Sequence, residues 1–319
     1  MKTRWLPVLA AFLLCALPVA GESVGRPVRV ASFSFPLGTP LEQVWERMDA
    51  EAASGVDLFV LPEMLGGGKA EPLDGPIITA AAARAKKHRA YVVAPIYRLD
   101  GEKVYNSAVL LDREGNIGGI YDKAFPVLFE FRDEPRITPG SVDPPVFETD
   151  FGKLGCAICF DANFPELWKR LGEKGAELVV FPSAYSAGTT LQEHALINHF
   201  YIVSATWNGD CIVCDITGRK ILDERGDGIH VSRITLDLDR CVFHLDYNRE
   251  NRDRLLKDHG DAVAADDSVS REGWFVLEAK KPGVSVRVLA AEYGVEPLRE
   301  YIERSRREIN RRRGEPFPW

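Results

Sequence analysis

The chain has 319 residues, 45% hydrophobic and 27% charged, with 27 glycines and 20 prolines. Those proportions exclude a disordered, collagenous or polytopic membrane chain and admit either two domains of about 150 residues or one large α/β domain. A formal net charge of −7 gives no global field favouring nucleic acid or an anionic membrane, and six cysteines are too few for a disulfide scaffold.

At the N-terminus Lys2 and Arg4 precede an apolar run from Trp5 to Ala20, followed by Gly21, Glu22 and Ser23. The run is shorter than the ~20 apolar residues that cross a bilayer and has the three-part form of a secretory signal. The expectation is a leader over residues 1–21, cut after Gly21 or Ala20, and a secreted or periplasmic product with no stable membrane partner. Cys15 leaves with the leader. The five remaining cysteines (Cys156, Cys159, Cys211, Cys214 and Cys241) are an odd number, so at least one stays unpaired or pairs between chains.

From Pro27 onward, short β-rich runs alternate with amphipathic stretches. Val28 to Phe35 reads as a strand. Leu41, Val44, Trp45, Met48 and Ala52 recur at helical spacing, Val56 to Leu61 is a second strand stopped by Pro62, and Ile77 to His88 is an Ala-rich helix. Tyr91 to Tyr97 is a buried strand, and Val104 to Leu111 and Ile117 to Tyr121 flank the hairpin turn Asp112 to Asn116. The order then repeats: strand Lys153 to Cys159, helix Pro165 to Lys174, strand Leu178 to Phe181, helix Leu191 to Phe200 and strand Tyr201 to Trp207. Cys211 to Ile216 and Lys220 to Asp223 form another hairpin. This alternation predicts an α/β layered fold with mixed sheets. No linker divides residues 27–240, so one domain is expected over 27–319. Its more charged extension, about 241–319, ends in a helix carrying Leu298, Tyr301, Ile302, Ser305 and Ile309 along one side.

Three polar residues follow apolar strands: Glu63, Lys123 and Cys159. Strand ends border the usual site crevice of an α/β sheet. Cys159 stands where a strand turns sharply into a helix opening at Pro165, which exposes the sulfur and turns backbone N–H groups toward a developing oxyanion. A free thiol has a pKa of about 8.5, so activation needs a base or a cation nearby, and Glu63 and Lys123 supply one of each.

Ile158-Cys159-Phe160-Asp161 with Phe164-Pro165-Glu166, joined to Leu61-Pro62-Glu63 and Tyr121-Asp122-Lys123, resembles the nitrilase superfamily of carbon-nitrogen hydrolases. The resemblance covers roughly residues 28–240 and takes in Thr138-Pro139-Gly140, Gly175-Ala176-Glu177 and Phe181-Pro182-Ser183. It implies an αββα two-sheet sandwich that pairs through its nucleophile-bearing helices into a four-layer homodimer. It also implies hydrolysis, without cofactor or metal, of a small amide, carbamoyl or nitrile substrate. Glu63 would be the general base, Cys159 the nucleophile and Lys123 the oxyanion stabiliser, with the Phe160 N–H as second donor. For the second glutamate of many members Glu134 fits best and Glu130 is the alternative. The family's Arg-Ala-x-Glu-Asn run is replaced here by His194-Ala195-Leu196-Ile197-Asn198, which bears on subunit contacts.

Cys156-x-x-Cys159 with Cys211-x-x-Cys214 invites a zinc reading, but both pairs lie in strand sequence, where residues three apart are about 10 Å from each other. Acyl transfer to an amine on the same site and a catalytically silent secreted binding protein remain as alternatives. Phe129, Phe131, Tyr185 and Trp207 are candidates for the pocket wall, Tyr185 foremost as a substrate-binding residue.

Overall fold

The protein is described by a computed structural model over residues 23–134 and 136–314. The expected leader, with Cys15, lies outside the described residues.

Two six-stranded sheets lie face to face. The first contains β1 (Pro27–Ser34), β2 (Leu58–Val60), β3 (Tyr91–Asp100), β4 (Lys103–Leu111), β5 (Ile117–Asp122) and β12 (His230–Asp237), in the order β12-β1-β2-β3-β4-β5. The second contains β6 (Phe147–Glu148), β7 (Lys153–Cys156), β8 (Leu178–Ser183), β9 (Tyr201–Thr206), β10 (Asp210–Cys214) and β11 (Lys220–Arg225), in the order β11-β10-β9-β8-β7-β6. Each sheet has a parallel centre, β1-β2-β3 and β7-β8-β9, where helices connect the strands, and antiparallel flanks made by hairpins, except that β12 joins β1 from far along the chain. The two halves are therefore the same construction used twice.

Alternation in the strands decides which side chains meet. Val28, Val30, Leu58, Val60, Val93, Ala108 and Leu110 face the second sheet and pack with Leu154, Cys156, Val180 and Val203. Ala31, Phe33, Phe59, Val92, Ala94 and Val109 point outward against α1 (Leu41–Glu51) and α2 (Pro76–His88). Leu167, Trp168 and Leu171 of α3 (Pro165–Glu173) and Leu191 and Ala195 of α4 (Thr189–Asn198) cover the second sheet. The layers are thus αββα, as the resemblance implies. At the seam Ser32 Oγ donates to the Ser204 carbonyl and Ser34 Oγ to the Asp210 carbonyl, each at 2.6 Å, so the inner polar groups of β1 are satisfied across the interface.

Within the two main sheets, two strands go beyond those expected from the sequence. β6 is two residues long, and β12 pairs antiparallel along the whole of β1. The strand expected to run to Cys159 ends at Cys156, because the chain must leave the sheet to form the turn that carries the sulfur. Past residue 240 the chain builds a third sheet, β13-β15-β14, from β13 (Cys241–His244), β14 (Val263–Asp266) and β15 (Trp274–Ala279). It is packed by α5 (Arg249–His259), α6 (Val286–Tyr293) and α7 (Leu298–Arg313) around Phe243, Leu255, Phe275, Leu277 and Val286.

Candidate active site

Glu63 follows β2 and the break at Pro62; the Trp207 indole N–H donates to its main-chain carbonyl at 2.6 Å, tying this loop to the end of the second sheet. Lys123 follows β5, with its N–H donating to the Asn106 carbonyl and its own carbonyl accepting from Gly140, both at 2.8 Å. Cys159 opens a 3₁₀ turn, Cys159–Asn163, with a left-handed φ of 50° that a non-glycine residue adopts only when its surroundings impose it. Asp161 imposes it. Its carboxylate accepts from Ile158 N–H (2.8 Å), Phe125 N–H (3.0 Å) and Tyr121 O–H (2.6 Å), binding the nucleophile turn to the loop after Lys123. Burial pushes the Asp161 carboxyl up to about 6 even though those three donors oppose the rise.

The three side chains predicted from sequence converge. Lys123 Nζ donates to Glu63 Oε1 at 3.0 Å and to Glu130 Oε2 at 2.8 Å, with Lys123 only 1% and Glu63 3% exposed. Burial works against the Lys123 ammonium, but the charge of Glu63 and the charge and hydrogen bond of Glu130 outweigh it and hold its pKa above the ordinary lysine value. The Cys159 thiol moves the opposite way. Burial, then the Glu63 charge, pushes it up to about 12, while Lys123 and the Ala184 N–H pull it down; a hydrogen bond with Glu63 holds the neutral thiol. The resting site is a neutral thiol beside a carboxyl and a charged lysine.

Of the two glutamates that the resemblance offered, Glu130 lies in the cluster, and Glu134, the better fit by sequence, does not. Glu130 is 4% exposed and accepts from Lys123, from the Val127 N–H (2.8 Å) and from Asn106 (3.0 Å). Glu134 has a side chain 78% exposed and pairs with Arg136. The 3₁₀ turn Leu128–Phe131 makes the difference, since it buries one side chain of four and leaves Leu128, Phe129 and Phe131 exposed.

Tyr185 lies beside the nucleophile turn, 37% exposed, its O–H donating to the Cys159 carbonyl at 3.4 Å. The Phe160 N–H belongs to the first turn of the 3₁₀ segment, where a helix supplies no internal acceptor. Phe160 packs edge-on against Phe164, which stacks on Phe125 at 3.8 Å. The five described cysteines are all free and buried.

Asn106 and Tyr97, partners across the β3–β4 ladder, were not singled out by the sequence reading. Asn106 Nδ2 donates to Glu63 Oε1 at 2.8 Å and to Glu130 Oε1 at 3.0 Å, and the Tyr97 hydroxyl reaches Glu130 Oε1 at 3.4 Å. The available signal was Asn106-Ser107 inside an apolar strand, since asparagine is depleted from strands and there demands buried partners.

Residues 38–242 match the family described as carbon-nitrogen hydrolase. The chain is 27% identical to the citrullinase of Francisella tularensis over 212 residues, 57% of this chain and 74% of that protein. It is 27% identical to the deaminated glutathione amidase of Rattus norvegicus over 267 residues, 74% of this chain and 79% of that one. Among solved structures it is similar to Saccharomyces cerevisiae Nit3, from branch 10 of the nitrilase superfamily, with a TM-score of 0.59 and 19% identity over 71% of this chain and 95% of that one.

Proposed function

The chain belongs to the carbon-nitrogen hydrolase family, enzymes that act on C–N bonds other than peptide bonds, and from that premise we propose that it cleaves a small amide or carbamoyl substrate through a thioester on Cys159. The observation that carries this reading is the convergence of Glu63, Lys123 and Cys159 in one buried cluster. Because the thiol is held neutral, catalysis needs a base at the moment of attack. Glu63 takes the Sγ proton as sulfur bonds to the carbonyl carbon. An ammonium has three donors, and two of those on Lys123 are committed to Glu63 and Glu130; the third faces the oxyanion, with the Phe160 N–H as its complement. Collapse breaks the C–N bond and Glu63 returns the proton to the leaving nitrogen. Water, deprotonated by Glu63, then attacks the thioester, the C–S bond breaks and sulfur recovers a proton.

The relatives above are named for citrulline, a ureido compound, and for deaminated glutathione, acted on as an amide. Those names support a panel of ureido compounds and primary amides, with nitriles as a contrast. Intact mass after brief incubation should show one acyl adduct per chain, placed on Cys159 by peptide mapping. Cys159→Ala should abolish turnover with the fold kept, and continued ammonia release by that variant would refute the mechanism.

Two further readings belong to the proposal. The leader pattern supports export, so the chain recovered from medium or periplasm should begin at Glu22 or Gly21; cytosolic protein retaining Met1 overturns this. The family resemblance supports pairing through α3 and α4, and a solution mass of one chain by light scattering would refute it.

A further inference from the structure

We propose that Asn106 is a positioning residue that spaces the two carboxyl groups of the site and reserves one oxygen of Glu63 for proton transfer; this rests on the reading of Cys159 as a nucleophile activated by Glu63.

Asn106 is fully buried in β4, and its planar amide spends both hydrogens on two different carboxyl groups, Glu63 Oε1 at 2.8 Å and Glu130 Oε1 at 3.0 Å. Its orientation is fixed by chemistry. Turning the amide over would set Oδ1 against two carboxyl oxygens, so Nδ2 must face them. The cost shows at the other end: Oδ1 is buried and accepts no hydrogen bond among the described residues. A residue kept only to fill space would not carry a buried unpaired acceptor, whereas one kept for its two donors would.

The bonds divide the labour between the oxygens of Glu63. Oε1 accepts from both Lys123 Nζ (3.0 Å) and Asn106 Nδ2 (2.8 Å), so Oε2 is the oxygen left to exchange a proton with Cys159. Lys123 alone does not enforce this, because its three donors rotate about a flexible stem. The amide is flat and short, and the carbonyl of the same residue accepts the Lys123 N–H at 2.8 Å. Asn106 thereby registers base, lysine and Glu130 from one position in a rigid strand.

The decisive experiment compares wild type with Asn106→Ala and Asn106→Asp, measuring the iodoacetamide labelling rate of Cys159 against pH, alongside kcat and KM on an accepted substrate. Asn106→Ala should slow labelling at pH 7 by about tenfold and kcat by about 10²-fold, the scale of a misplaced catalytic group, with KM within about threefold. Asn106→Asp adds a third carboxyl to the cluster. Its labelling and kcat should recover on acidification, as that carboxyl gains a proton it can donate, where wild type declines. A folded variant matching wild type within about twofold across the pH range overturns the proposal, as does loss of the fold by both variants, which would make the residue structural. Wild-type Cys159 labelling no faster than the other thiols would sink the nucleophile reading and this proposal with it. Reactive wild type with equally reactive variants sinks the proposal alone.

Discussion

Lys123 is the residue on which the site's electrostatics turn, since it is the buried cation between two buried carboxyl groups. Lys123→Met should cost kcat at least the ~10² of a lost oxyanion donor. It should also lower stability by about 3–5 kcal/mol, because a broken buried ion pair leaves charge uncompensated. Urea unfolding beside steady-state kinetics checks both; a variant that loses activity at unchanged stability would mean the cluster tolerates two carboxyls without their cation. Glu130 and Glu134 form a second comparison. Glu134→Gln should leave kcat within about twofold, since its side chain is solvated, whereas Glu130→Gln removes an acceptor for Lys123 and Val127 and should cost at least about tenfold. Sequence alone left this choice open. The segment between Lys123 and Gly140 has no period to say which carboxylate turns inward, and a single 3₁₀ turn decides it.

At the scale of elements, α4 ends in a way that couples it to the C-terminal helix. His199 closes α4 in the left-handed conformation, and the guanidinium of Arg299, from the first turn of α7, donates to the carbonyls of Asn198 (2.7 Å), His199 (2.7 Å) and Ala176 (2.9 Å). The first two are helix-end acceptors of α4 that otherwise lack partners, and the third lies in the loop between α3 and β8. Arg299→Met should therefore destabilise the protein by at least about 3 kcal/mol in urea unfolding, as three carbonyls lose their donor. Burial, and then the Arg299 charge, lowers the His199 pKa to about 4, against the weaker pull of the Ile216 carbonyl. The unfolded chain thus takes the proton first. This contribution is complete above about pH 6.5 and is lost as pH falls from there toward 4, at most about 3 kcal/mol in all. His199→Asn keeps a residue tolerant of positive φ and removes the titration, so its stability should vary less between pH 6.5 and 4.5 than that of wild type. Equal slopes would show that His199 is not the group responsible. Most of the elements were legible because their periods are clean, as in Leu41 to Ala52 or Val104 to Leu111. β12 was not, since Arg233 and Thr235 interrupt its apolar run and its partner β1 is some 200 residues away.

For the whole molecule, the region beyond residue 240 is joined to the sandwich by more than Arg299. Val242, Val269, Val276 and Leu298 belong to the same packed cluster as the inner faces of the two main sheets, and Arg306 pairs with Glu173 at the end of α3. A chain ending at residue 240 would expose that apolar seat and leave α4 without its cap. It should be insoluble or at least 10 °C less stable by thermal melt, on the scale of a few kcal/mol in a large domain. A soluble truncated chain with wild-type Tm would show that the sandwich is complete without the extension.

The sequence by itself determined the alternation of strands and helices, the layered α/β class and the placement of Glu63, Lys123 and Cys159 at the ends of strands. Each of these is written in local periodicity or in short motifs that survive reading one segment at a time. The tertiary structure alone decided that Glu130 rather than Glu134 enters the site, that Asn106 bridges two carboxyl groups, and that α7 caps α4. These depend on which side chains meet across sheets and loops far apart in the chain. The same packing then sets their state: burial holds the thiol neutral, while the charges of Glu63 and Glu130 keep the lysine charged against burial, and no local pattern of residues specifies which charges meet.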